Sequence, residues 1–224
     1  VEARIALRNL TLHEALPDAT DLVLAFRSLG ASSRGTTKTM IEALPHGGKV
    51  CRDGVLVSVP TAHETRDIPF RDKTRLAVSI PWGDVSTAFQ STGIPNITVF
   101  VAVPEGQVRA MKAIRHVGPA LGLPLVQRAL KGLVEATLTG PDQATRERGS
   151  TQVWGRASTK DGRSVEATLT TPEGYTLTAR TAVDATIRCA RGEVKPGAMT
   201  PSLAFGASYI TRFDGCDMQV GAVR

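Results

Sequence analysis

The 224-residue chain carries 27 Lys and Arg against 21 Asp and Glu, a formal net charge of +6, with 42% hydrophobic and 21% charged residues. Those proportions belong to a soluble globular protein, and the length suits one large domain or two small ones with a proper core. The basic residues are scattered, with no run of five or six, and aromatics make up only 4%. A nucleic-acid stripe or base-stacking platform is therefore not expected, while a mild preference for anionic small molecules is compatible with the balance.

Residues 5–16 read as a short helix with Ile5, Leu12 and Leu16 on one face, stopped by Pro17-Asp18. Leu22–Phe26 is short and apolar, the pattern of a buried strand. It feeds a Gly/Ser-rich turn, Gly30 to Thr36, and then a helix from Thr36 to Leu44 that ends at Pro45 and Gly47-Gly48. Lys49–Cys51 and Val55–Val59 flank Arg52-Asp53-Gly54, and Asp-Gly between β-prone runs predicts a hairpin with Val55, Val57 and Val59 on an apolar face. Two more strands are expected at 65–71 and 74–80. The second runs into Pro81-Trp82-Gly83-Asp84, where Asp84 can cap a helix reaching about Ser91.

Ile97–Val103 is nearly continuous in apolar residues, as a central strand covered on both faces would be. A helical pair follows: Glu105–Val117, broken by Gly118-Pro119, then Leu125–Leu138. The pair is more apolar than its surroundings and reads equally as a flap over the protein's own core or as a cover for a partner or lipophilic ligand. Gly140–Gly149 is polar and is the expected loop boundary. The clearest hairpin is Thr151–Ser158 with Ser164–Thr170 around Lys160-Asp161-Gly162, placing Val165, Ala167 and Leu169 on one face. A helix from Glu173 to Arg191 carries Tyr175, Ala179, Ala182, Val183, Ile187 and Ala190 as its apolar stripe, with Gly192 at its end. A short helix or strand is expected around Leu203–Tyr209. Together these elements predict an α+β fold: a mixed, largely antiparallel sheet with helices gathered on one face, plus the helical pair at about 105–138.

The chemistry-bearing motifs are few. Gly30-x-x-x-x-Gly35 looks like a phosphate-binding loop, but Lys38 arrives two residues late, which removes a nucleotide-hydrolysing reading. No G-x-G-x-x-G occurs, so no dinucleotide-binding domain is expected within this chain. His13, His46, His63 and His116 are dispersed, and Cys51, Cys189 and Cys216 form no C-x-x-C pair, so neither a metal site nor a disulfide framework is indicated. No G-x-S-x-G elbow occurs. The cysteine usage fits a reducing, cytoplasmic setting. No apolar run approaches membrane-spanning length, and Val1-Glu2-Ala3-Arg4 lacks a signal-peptide core. A start at Val1 rather than Met is expected of a fragment, a processed product or a trimmed chain.

Two stretches remain as candidate sites. Ser33, Arg34, Gly35, Thr36 and Thr39 put hydroxyls and an arginine beside unpaired N–H groups at a helix start, a seat for an anionic ligand as well as an ordinary cap. Trp82, Gly83 and Asp84 lie where a strand passes into a helix, with Trp82 as an apolar wall.

Taken jointly, several stretches resemble the C-terminal, substrate-side part of the bacterial saccharopine dehydrogenase-like oxidoreductases, in the trans-acting enoyl reductase-like branch. They are Leu16-Pro17-Asp18-Ala19-Thr20, Ser33-Arg34-Gly35-Thr36 with Lys38-Thr39-Met40, Ser79 to Ala88 with Ser91 to Ile97, Thr171-Pro172-Glu173-Gly174-Tyr175, and Thr200 to Gly206. The resemblance spans about residues 12–210. It implies a substrate-binding and dimerisation region over residues 1–224, working with NAD(P) held by a Rossmann domain that this chain lacks. A small-molecule substrate around Ser33–Thr39 and Trp82–Asp84, no metal, and a homodimer or a Rossmann-domain partner are the expectations that follow. The alternative from another class is a non-catalytic binding or assembly module, docking a partner or lipophilic ligand through the helices at 105–138.

Overall fold

A computed structural model describes residues 11–30 and 32–224. The expected helix at 5–16 falls partly outside these, and residues 11–15 within them are helical. The centre of the molecule is β1 (Asp21–Leu29), which pairs in parallel with β6 (Asn96–Ala102) on one side and antiparallel with β7 (Ser150–Ser158) on the other. From β7 the sheet continues antiparallel through β8 (Ser164–Pro172) to β9 (Asp217–Val220). From β6 it divides: β2 (Gly48–Arg52) pairs at Cys51–Ile97 and leads to β3 (Val55–Val59), while β5 (Thr74–Ser79) pairs at Ala77–Ala102 to Ser79–Phe100 and leads to β4 (Thr65–Pro69).

Alternation along the strands sorts side chains onto two faces. Leu22, Leu24, Ile97, Val99, Val153, Val165 and Leu169 are buried on one face, under Val85 and Ala88 of α2 (Asp84–Thr92) and Leu177 of α6 (Gly174–Ala190). Tyr209 and Ile210, on a 3-10 turn after α7 (Pro201–Phe205), complete this core. On the other face Ala25, Phe100 and Trp154 are covered by Ile68, Phe70 and Ala77, because the β4–β5 hairpin folds back across the sheet.

The remaining helices form an annex: α1 (Arg34–Ala43), α3 (Glu105–Leu121), α4 (Pro124–Thr137) and the short α5 (Gln143–Arg148). Lys38 pairs with Glu135, Lys131 with Glu42 at 2.5 Å, and Gln127 Nε2 donates to the Ile41 carbonyl at 3.0 Å, tying α1 along α4.

Four local expectations are corrected. The first is the break at Gly118-Pro119: α3 runs through it to Leu121, and the stop comes at Gly122 and Pro124. A proline in the last turn loses only one intrahelical bond near an end where fraying is already cheap. The second is the 140–149 loop, which contains α5, nucleated by Asp142 Oδ1 accepting from the Thr145 N–H at 2.7 Å. The third is the β3 apolar face: Val55, Leu56 and Val57 are exposed on an edge strand. The fourth is the α6 stripe, whose apolar residues point outward while Leu177 and Thr181 are buried. The strand β9, Asp217–Val220, follows a stretch for which the sequence pattern predicts no element.

Candidate functional site

The parallel pair β1–β6 gives the sheet a direction, and the carboxyl end of such strands is where loops leave room for ligands. At that end β1 passes through Gly30 to Ser33, whose Oγ accepts from the Thr36 N–H at 3.2 Å and caps α1. Thr37 N–H and Thr37 Oγ1 both donate to the Ser33 carbonyl, at 3.0 and 3.1 Å. A second helix starts against the first. Glu173, buried at the head of α6, accepts through Oε2 from the Tyr175 and Thr176 N–H groups at 2.9 and 3.1 Å. That cap brings the Tyr175 hydroxyl to the α1 turn, where it accepts from the Ser33 N–H at 2.7 Å and lies 2.8 Å from Thr36 Oγ1. Ser33 Oγ and Thr36 Oγ1 are 3.1 Å apart, so three hydroxyls share one network.

The close approach of these elements explains Gly149. A Cβ there would sit 2.6 Å from Glu173 Cγ and 2.9 Å from the Leu29 carbonyl, so only glycine lets the chain pass between the end of β1 and the α6 cap.

The other sequence candidates take different places. Arg34 Nε donates to the Leu138 carbonyl, bracing α1 against the end of α4, and Thr39 Oγ1 turns back to the Gly35 carbonyl at 3.1 Å. Gly83, not Asp84, is the N-cap of α2, and Asp84 is fully buried in the first turn. Trp82 packs on Phe26 with ring centroids 5.1 Å apart and planes at 53°, on the helix-covered face of the carboxyl half of β1. Its indole N–H is buried and meets no acceptor among the described residues. The Ser33–Thr36 group and the Trp82–Asp84 group thus both reach β1, at different points and through different contacts.

Tyr175 is the site residue that sequence patterning misses. Its ring suits an apolar stripe, and only its place in Thr171-Pro172-Glu173-Gly174-Tyr175 marks it out. Two hollows lie away from these residues. One, of about 340 Å³, opens between the β2–β3 hairpin and α2, with Cys51, Leu56, Val85 and Phe89 on its walls. Burial pushes the Cys51 thiol up from its ordinary range, which makes it a poor nucleophile there. The other, of about 140 Å³, lies beneath Ile114 and Arg115.

No protein-family model matches the chain, and no curated protein matches it. Among solved structures it is similar to the apo form of saccharopine dehydrogenase (L-Glu forming) from Saccharomyces cerevisiae, at 11% identity and a TM-score of 0.56, covering 98% of this chain and 72% of that one. The likeness establishes the architecture: the chain has a saccharopine dehydrogenase-like fold.

The β1–α1 turn already uses, within the chain, two of the donors that the pyrophosphate of NAD(P) would need. A dinucleotide turn presents free N–H groups to phosphate oxygens. Here the Ser33 N–H is taken by the Tyr175 hydroxyl and the Thr36 N–H by Ser33 Oγ. Among the described residues no group of three or more His, Cys, Asp or Glu is placed to hold a metal ion.

Proposed function

We propose that this chain is the substrate-binding and dimerisation domain of a saccharopine dehydrogenase-like, NAD(P)-dependent oxidoreductase, with hydride transfer only when a Rossmann domain is supplied. The observation that carries the reading is the placement of the Ser33, Thr36 and Tyr175 hydroxyls at the carboxyl end of β1, in a fold similar to saccharopine dehydrogenase along nearly the whole chain. Hydroxyls that can both donate and accept, beside Arg34, suit a polar, anionic small molecule. The chain's contribution is to hold and orient that substrate. The reactive cofactor carbon is set against it by a Rossmann domain. The trans-acting enoyl reductase-like branch and a cytoplasmic location rest on the sequence resemblance and the cysteine spacing alone.

The test joins the chain to a Rossmann domain and compares Thr36→Val and Trp82→Phe with the parent. Thr36→Val removes one hydroxyl of the network and is expected to raise KM about tenfold, the scale of one hydrogen bond to substrate. Trp82→Phe keeps the wall and is expected to leave KM within about twofold. Unchanged KM in Thr36→Val, with the fold intact by circular dichroism, would contradict a substrate role for this turn.

A further inference from the structure

We infer that the tip of the α3–α4 hairpin docks on an anionic lipid bilayer surface. The inference is independent of the oxidoreductase reading. Its first support is charge. Between Glu105 and Glu135 the sequence has no Asp or Glu, yet carries Arg109, Lys112, Arg115, Arg128 and Lys131. Lys112 and Arg128 are exposed, and among the described residues neither forms an ion pair. On the hairpin Arg109 and Lys131 are neutralised by Glu105 and Glu42, as Lys38 is by Glu135, so the positive charge without an acidic partner among the described residues is that of Lys112, midway along α3, Arg115, and Arg128 in the second turn of α4.

The second support is apolar exposure at the same place. Two residues connect α3 to α4, and around them Val117 is 50%, Leu123 55% and Leu125 75% exposed. Single exposed leucines are ordinary, but three large apolar residues at one hairpin tip form a patch that calls for a cover.

The tip is also held in this form. Gln127 Nε2 bridges the Leu121 and Ile41 carbonyls at 2.7 and 3.0 Å, and the Arg115 guanidinium bonds the Thr61 and Ala62 carbonyls. These bonds fix both helices to the body and keep the leucines directed outward. The start of α4 has Leu123 as its N-cap, with no side chain to accept from the first N–H groups. Those donors lie at the same end as the leucines and suit a phosphate oxygen.

Hydrocarbon a few ångströms from anionic phosphate is the environment of a bilayer interface, and it matches exposed leucines at the end of a hairpin whose unpaired charge is positive. An apolar insertion and a basic ring are each weak anchors that hold reversibly in combination. No helix among the described residues is long and apolar enough to cross a membrane, so the contact is a surface one.

The test is vesicle flotation of the full chain with phosphatidylcholine alone and with phosphatidylcholine mixed with phosphatidylglycerol. Binding is expected to the mixed vesicles, at least about tenfold stronger than to phosphatidylcholine, and to weaken as salt screens the charges. Leu125→Asp is expected to abolish it, and Arg128→Gln to weaken it about fivefold, the share of one cation near the surface. Leu56→Asp, on the exposed β3 strand, should bind as the parent does. Equal binding to both vesicle types, or parent-like binding by Leu125→Asp and Arg128→Gln, overturns the inference. So does a Leu125→Asp variant that turns a dimer monomeric in light scattering while the parent ignores the vesicles, since the tip would then be a self-association surface.

Discussion

Tyr175 joins two helix starts through one hydroxyl, accepting from the Ser33 N–H and meeting Thr36 Oγ1. Tyr175→Phe leaves the packing and removes that link at a site open to water, so it should cost about 1 kcal/mol of stability, read from a denaturant midpoint. Tyr209 makes a different residue-scale prediction. Burial first, and the Asp184 carboxylate beside it, push its phenol well above the ordinary range, while its hydroxyl donates to the Thr181 carbonyl at 3.1 Å. A raised pKa means that the fold favours the neutral phenol. The stabilisation is complete below the unfolded value of about 10 and is lost as pH rises beyond it. The thermal midpoint should therefore begin to fall near pH 10 and go on falling above it, and fall less steeply in Tyr209→Phe. A fall of equal steepness would show that another group governs the alkaline limb.

At the scale of elements, the turns were the most legible part. Asp53 and Gly54 take φ values of 50° and 77°, as a tight hairpin with positive φ at both central positions requires, and Asp-Gly is the residue pair that tolerates it. Gly54→Ala should destabilise by about 2 kcal/mol, since its Cβ would face positive φ and lie 2.7 Å from Phe89 Cζ. The α6 stripe shows where periodicity fails. Val183 and Ile187 follow the helical spacing yet face solvent. The helix instead buries a more polar face, with Thr181 beneath it and Arg188 over the Phe205 ring at 5.1 Å. Arg188 is further held by Asp184 at 3.7 Å and Glu193 at 3.3 Å. A cation over aromatic rings, tethered by two carboxylates, has no apolar signature for a sequence pattern to detect.

For the whole molecule, the α+β class and the central, doubly covered β6 followed from strand and helix periods. The folding of β4–β5 over the second face did not, because a hairpin's own residues do not state which sheet face it will cover. The candidate site was half legible. Ser33–Thr36 was marked by its cap chemistry, whereas the arrival of Glu173 and Tyr175 depends on α6 meeting α1 across some 140 residues of chain. In the assembled molecule the carboxyl end of β1 carries the network of the Ser33, Thr36 and Tyr175 hydroxyls.

The central claim is that the cofactor is bound elsewhere and the substrate here. Calorimetric titration of NADPH into this chain measures it most directly. No binding in the micromolar range is expected of the chain alone, and binding is expected when a Rossmann domain is joined to it. Micromolar NADPH binding by the isolated chain would contradict it.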